Sequence, residues 1–153
     1  MRKMHLIVFL LVVGLATMAF AAGSSFKAML SGSEDVPAVK TMAKGEAVFT
    51  LSKDGKELSY KVTVSDIEDV IVAHIHLGKK GENGPPVALI TNEKKAGKFS
   101  GILAEGKITA NELMGSLMGK SVKELVEQIK EGNTYLNVHT DKYPGGEIRG
   151  QIK

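Results

Sequence analysis

Three histidines in two distant segments of the chain have the residue type and spacing of metal ligands. His74 and His76 stand two residues apart in the apolar run VIVAHIHL, and His139 lies in the later segment LNVHTDKYPGGEIRGQ. Residues two apart on a β-strand point to the same face, so a strand here presents both imidazoles together. Such a pair with a third histidine from a neighbouring strand is a good ligand set for Cu(II) or Zn(II). His74, His76 and His139 are therefore candidate metal ligands.

The residues around His139 predict a row of polar side chains on the same side of the sheet. Apolar residues alternate with the histidines and mark the core side of each strand. They are Ala73, Ile75 and Leu77 in the first segment and Leu136 and Val138 in the second. When the final hairpin is registered on its apolar residues, His139 lies opposite Glu147. The same register sets Asn137 opposite Arg149. Glu147 is then a candidate fourth ligand, or an acceptor for one imidazole N–H.

A purely structural network is the alternative use of the same side chains. Imidazoles also hydrogen-bond to loop carbonyl groups, and the glycine-rich loop GKKGENGPP, residues 78–86, follows the first histidine pair closely. Such bonds would hold the loop against the sheet, with Glu147 and Arg149 as a buried pair, and would need no metal ion. The sequence leaves both alternatives open. In either one we expect the loop to pack over or beside the histidines.

An antiparallel β-domain is predicted to position these side chains. Two runs of alternating polar and apolar residues, joined by Asp54-Gly55, predict a hairpin over residues 46–64. A first strand is expected near residues 26–30. Five more β-type runs follow the hairpin: VIVAHIHL, PPVALITN, GKFSGILAEGKI, TYLNVHT and GEIRGQIK. This many short strands in one small domain favours an all-β sandwich.

Two capping boxes interrupt the β pattern late in the chain. The first begins at Thr109 and the second at Ser121, and each has a glutamate three residues further on. Apolar residues at helical spacing follow Ser121, and Gly132 fits just past the end of such a helix. We therefore predict a short helical insertion of about two helices near residues 110–131.

The first 21 residues have the pattern of a secretory signal peptide. A basic start, MRKMH, precedes the apolar run LIVFLLVVGLATMAF, and Ala19-Phe20-Ala21 supplies a small-x-small cleavage pattern. Cleavage after Ala21 would leave residues 22–153 as one exported domain, periplasmic or extracellular, with no stable membrane span. The alternative is an uncleaved anchor, for which the apolar run is short.

Composition excludes several kinds of site. The chain has no cysteine, so disulfides, thiolate metal ligands and a cysteine nucleophile are excluded. Of its 20 basic residues, Arg2 and Lys3 lie in the leader, so 18 remain against 17 acidic ones. These charges are interspersed and build no positive face, so we expect no nucleic acid partner.

Three segments in order resemble one known domain. LSGSEDVPAV, AHIHLGKKGENGPPVALI and YLNVHTDKYPGGEIRGQI resemble the CHRD domain, named after chordin and widespread in exported microbial proteins. The resemblance covers about residues 26–153. It implies an antiparallel Greek-key β-sandwich, immunoglobulin-like or superoxide-dismutase-like, and it implies little about activity.

Two functions remain in view. The leading hypothesis is a non-enzymatic, exported binding or envelope-associated module, whose partner is a protein or a metal ion at the histidines. The alternative is a copper-dependent metalloenzyme that uses His74, His76 and His139. It draws on a looser likeness to Cu/Zn superoxide dismutase, in which an His-x-His strand element binds copper. The remaining histidines, the zinc loop and the disulfide of that enzyme have no counterpart here.

Overall fold

The structure, a computed structural model, describes residues 23–153, which form an all-β fold with one short α-helix. In chain order the elements are β1 (Ser25–Ser31), β2 (Lys44–Leu51), β3 (Leu58–Leu77), β4 (Pro86–Thr91), β5 (Lys95–Ile108), α1 (Val122–Lys130), β6 (Thr134–Thr140) and β7 (Ile148–Gln151). Single 3-10 turns span Gly32–Glu34, Ala110–Glu112 and Gly115–Leu117. The predicted signal peptide, residues 1–21, and its cleavage point lie outside the described residues. No helix within residues 23–153 is long and apolar enough to cross a membrane.

Five antiparallel strands close into a barrel. Their order is β2-β1-β7-β6-β3, and β3 pairs back to β2. The closure depends on β3, which is 20 residues long: its first part pairs with β2 and its last part with β6. β4 and β5 lie outside the ring, and both pair with β3. The predicted all-β fold is confirmed. The architecture is a closed barrel with extra strands and not clearly the expected Greek-key sandwich, because one long strand pairs on both sides of the ring.

Two bulges in β3 explain why its sequence reads as two separate strands. The register against β5 shifts between Val64 and Ile67 and again between Glu68 and Val70. Asp66 and Asp69 lie at these shifts with φ of +53° and +51°, a conformation that aspartate tolerates better than most residues. Each extra residue exchanges the two faces of the strand. The alternation is therefore interrupted while the backbone continues without a turn.

The helical insertion is confirmed in position and covers part of the core. The four apolar residues of α1 are at most 3% exposed: Val122, Leu125, Val126 and Ile129. The capping box at Ser121 is present, and its Glu124 carboxylate accepts the Ser121 N–H at 2.8 Å. The box at Thr109 begins only a 3-10 turn. Gly115 and Gly119 follow with positive φ, and such residues end a helix rather than extend it.

The final hairpin has part of its predicted register. Asn137 pairs with Arg149 as predicted, and Val138 pairs with Ile148. The predicted pairing of His139 with Glu147 is wrong, since the ladder ends at the Val138–Ile148 pair. The Glu147 N–H donates to the Val138 carbonyl at 2.8 Å, so the chain leaves the ladder one residue early. This irregular end turns the Glu147 side chain into a different environment.

Candidate functional site

The three histidines meet on the face of β3 and β6 that points away from the apolar core. His74 and His76 project from β3, and His139 projects from β6, the next strand in the barrel. One ring nitrogen from each residue can be chosen so that all three lie within 4.8 Å of one another. Each pair of ring centroids is 5.7 Å apart. The predicted convergence of the histidines is confirmed.

Loops cover this face and remove most of it from solvent. His76 is 9% exposed and His139 is 7% exposed, while His74 is half-buried. The His76 Nδ1 lies 2.9 Å from the Gly84 carbonyl oxygen, and the His139 Nδ1 lies 3.0 Å from the Pro144 carbonyl oxygen. The predicted packing of the 78–86 loop beside the histidines is confirmed.

The carbonyl partners decide which ring nitrogen of His76 and His139 carries the proton. A carbonyl oxygen only accepts, so Nδ1–H donates and Nε2 of the neutral ring keeps a lone pair. Both Nε2 atoms are buried and have no hydrogen-bond partner. A ring held through one nitrogen by a backbone carbonyl, with the other nitrogen free, has the arrangement of a metal-ligating histidine.

The surroundings favour neutral imidazoles. Burial first, and then the nearby His76 and His139, together lower the pKa of His74 to about 4. Burial also lowers the pKa values of His76 and His139, against the opposing effect of their carbonyl partners. The site therefore holds its three rings in the form that binds metal ions near neutral pH.

Asp35 belongs to the same buried surroundings, although the sequence did not single it out. It follows the 3-10 turn Gly32–Glu34, and it is 6% exposed. Its Oδ1 accepts the Val36 N–H at 2.8 Å, whereas its Oδ2 is buried without a partner. Its negative charge partly offsets the lowering of the pKa values of His76 and His139 that burial causes. The only earlier sign was its presence in the first motif of the family resemblance.

The structure does not bring Glu147 into the histidine cluster. Glu147 is not among the residues whose ligand atoms converge. Its Oε1 accepts from the Thr41 hydroxyl at 2.6 Å, and its Oε2 accepts from the Thr140 hydroxyl at 2.7 Å. The imidazole N–H groups of His76 and His139 go to backbone carbonyls instead. Glu147 therefore stabilises the loop before β2 against the end of β6.

Arg149 fixes the covering loop and supports the ring of His76. It is 1% exposed, and its guanidinium donates to the carbonyls of Lys79 and Glu82 at 2.9 and 2.7 Å. The guanidinium carbon lies 3.5 Å from the centre of the Tyr135 ring, which stacks on His76 with centroids 5.0 Å apart. The expected buried pair of Arg149 with Glu147 is not formed, because the loop carbonyls take its place.

Four buried atoms around the cluster accept hydrogen bonds but receive none. They are Oδ2 of Asp35, Nε2 of His76, Oδ1 of Asn137 and Nε2 of His139. A Cβ atom built on Gly146 would clash with the Asn137 amide and the Asp35 carboxylate, so these two groups lie beside one another. Lone pairs from several side chains thus stay without partners on this side of the sheet, and a cation is the species that such groups suit.

The comparisons with known proteins give one match. The family model of the CHRD domain matches residues 26–152, nearly all of the described chain. No curated protein and no solved structure shows a significant match. The match agrees with the three motifs noted above, two of which carry the histidines. The chain belongs to the CHRD domain family.

Proposed function

We propose that this protein is an exported, non-enzymatic module that binds a metal ion, Zn(II) or Cu(II), through His74, His76 and His139. One observation carries the proposal. Two buried Nε2 lone pairs lack any partner, and the three histidines offer nitrogens within 4.8 Å of one another. Neutral imidazole nitrogen is a preferred ligand of both ions.

The metal-free network gives a hydrogen-bond partner to only one of the two nitrogens in the rings of His76 and His139. The bonds to Gly84 and Pro144 satisfy Nδ1 of His76 and His139, and they hold the covering loops. They leave Nε2 unpaired, which is unfavourable for a buried polar atom. A bound metal ion would use these nitrogens and keep the same carbonyl bonds as outer support. Metal binding and loop fixation are then two functions of the same rings.

The proposed export would place the histidine site outside the cytoplasm. We propose that residues 1–21 direct the protein to the periplasm or the cell exterior, where the domain meets metal ions outside the reducing cytoplasm. A chain without cysteine is well suited to this setting, because its ligands are not lost to disulfide formation. Detection of a mature amino terminus at Ala22 in an exported fraction would support this part. A cytoplasmic protein with an intact leader would contradict it.

Calorimetric titration of residues 22–153 with Zn(II) and with Cu(II) tests the binding role. We expect one ion per chain for the parent and loss of binding for His139→Ala. Thr134→Val is the matched control, because Thr134 lies on the same strand, is fully buried and is absent from the cluster. It should bind like the parent. A parent that binds neither ion would overturn the proposal, as would binding by His139→Ala at parental affinity.

Superoxide turnover by the Cu(II)-loaded protein separates the two functional hypotheses. A binding module should give no more turnover than the same amount of copper bound to a small peptide. Turnover well above that reference, lost in His139→Ala, would replace the non-enzymatic role by a dismutase-like one.

A further inference from the structure

We infer that Asp35 supplies the fourth ligand of the histidine site, so that the chain itself completes the coordination of a divalent ion. This inference rests on the proposed metal binding, and it names the class of ion: Zn(II) or Cu(II), rather than Cu(I). It also gives a role to a buried carboxylate that no other contact explains.

The Asp35 carboxylate has one oxygen held by a hydrogen bond and one oxygen free. Its Oδ1 is fixed by the Val36 N–H at 2.8 Å, which sets the plane of the group. Its Oδ2 is buried and has no hydrogen-bond partner. Ligating carboxylates commonly have one oxygen held by a hydrogen bond and the other free for the metal.

The position of Gly146 locates Asp35 Oδ2 on the histidine face. A Cβ atom at this glycine would lie 2.5 Å from Asp35 Oδ2 and 2.6 Å from Asn137 Oδ1. Asn137 is the cross-strand partner of His74 and stands two residues from His139 on the same face of β6. The carboxylate therefore lies beside Asn137, on the side of these strands that carries the histidines. Within the described residues its oxygens are not among the ligand atoms that converge, so coordination requires the free Oδ2 to move toward the bound ion. The electrostatic effect of Asp35 on His76 and His139 agrees with this location.

Asp35 takes part in no ion pair within 4.0 Å among residues 23–153. The pairs found there use Glu34, Glu57, Glu93 and Glu124. The buried Arg149 directs its guanidinium to Lys79, Glu82 and Asn83 of the loop. A buried carboxylate without a cationic partner is costly, and a metal ion at the neighbouring histidines would remove that cost.

A fourth protein ligand has a chemical consequence. Three imidazoles and one carboxylate form a closed tetrahedral set for Zn(II), whereas catalytic zinc sites keep one position for water. A hard carboxylate oxygen also disfavours Cu(I), which prefers soft sulfur ligands. The completed site therefore holds a divalent ion and leaves no position at which a substrate binds the metal.

Substitution of Asp35 tests this inference by affinity and by spectrum. Asp35→Ala should weaken Zn(II) binding by more than about a hundredfold, beyond the 10–100-fold typical of outer-shell residues. The Co(II)-loaded parent should have the visible spectrum of a four-coordinate ion, unchanged by azide. Co(II)-loaded Asp35→Ala should respond to azide, because water then occupies the fourth position. Glu34→Ala is the control, since Glu34 is the adjacent carboxylate and pairs with Lys80 on the surface.

The outcomes separate this inference from the proposed function. If the parent binds no metal, both are overturned. If the parent binds and Asp35→Ala has the same affinity and the same azide response, only the fourth-ligand inference is overturned. Asp35→Asn controls for misfolding of the Asp35→Ala variant, because the amide oxygen of asparagine can still accept the Val36 N–H. This variant should keep the melting temperature of the metal-free parent and still bind metal more weakly than Glu34→Ala.

Discussion

The two faces of β6 are both buried, yet they are built from opposite kinds of side chain. Every residue of Thr134–Thr140 is buried. Leu136 and Val138 face the barrel interior and are 0% exposed, whereas Asn137 and His139 lie under loops and are 2% and 7% exposed. The first face is stabilised by apolar burial and close packing. The second depends on hydrogen bonds to loop carbonyls and leaves lone pairs unused.

The apolar face of β6 stabilises the fold, whereas the polar face carries part of the candidate metal site. An apolar face loses stability when atoms are removed from it, whatever ion is present. A polar face with unpaired acceptors responds to pH and to metal ions, because its free energy depends on charge. The following variants and conditions change one face while leaving the other intact.

The largest expected loss of stability is at the apolar face. Leu136→Ala should lower the free energy of unfolding by about 2–5 kcal/mol, because it leaves a cavity in the barrel. The fraction that remains folded should bind Zn(II) with parental affinity. Denaturant titrations with and without zinc measure both quantities. A loss below about 1 kcal/mol would show that the inner face of β6 contributes little packing to the core.

A smaller loss is expected where the polar face holds its covering loop. Arg149→Met should lower the free energy of unfolding by about 2 kcal/mol, because the carbonyls of Lys79 and Glu82 lose their charged donor. Amide hydrogen exchange should become faster in residues 79–84 and stay unchanged in α1. Arg149→Lys keeps the charge but lacks the planar fork, so it should resemble the methionine variant. Parental protection of the loop in both variants would contradict this role of Arg149.

The mildest effect is the response of the metal-free protein to pH. The pKa of His74 is lowered from 6.5 to about 4, first by burial and then by His76 and His139. The unfolded chain takes up a proton near pH 6.5 and the folded chain only near pH 4, so stability is lost as pH falls through this window. Asp35 opposes the shifts at His76 and His139, and Arg149 adds to the shift at His76.

Denaturant titrations of metal-free protein between pH 7 and pH 4 measure this response. His74→Gln removes one titrating ring and should show a shallower decline than the parent over the same range. The difference between the two curves isolates His74 from the carboxylates that titrate at the lower end. Equal slopes would show that the His74 ring is more solvated than its half-buried position indicates.

Much of this arrangement could be predicted from the sequence, because alternation along strands is a local property. The positions of the strands, the helix after Ser121 and the convergence of the three histidines all followed from it. The closed barrel did not, because it depends on bulges at Asp66 and Asp69 that keep β3 continuous across a change of face. From alternation alone, such a change of face indicates the end of one strand and the start of another.

The fourth position of the site was also beyond the sequence pattern. Register arguments favoured Glu147, but the ladder ends at Val138–Ile148 and the carboxylate turns to Thr41 and Thr140. Asp35, which we infer to be the fourth ligand, lies in a loop more than a hundred residues before His139, and no periodicity links the two. Contacts made by loops depend on tertiary packing, which a strand pattern does not encode.

The most direct test of the central claim is a crystal structure of residues 22–153 grown with Zn(II) and measured at the zinc absorption edge. We expect one anomalous peak about 2.0–2.1 Å from a ring nitrogen of each of His74, His76 and His139, with Nε2 as the ligand atom of the latter two. The bonds from Nδ1 to the Gly84 and Pro144 carbonyls should persist. A cluster without anomalous signal at saturating zinc, or a peak held by surface carboxylates alone, would contradict it.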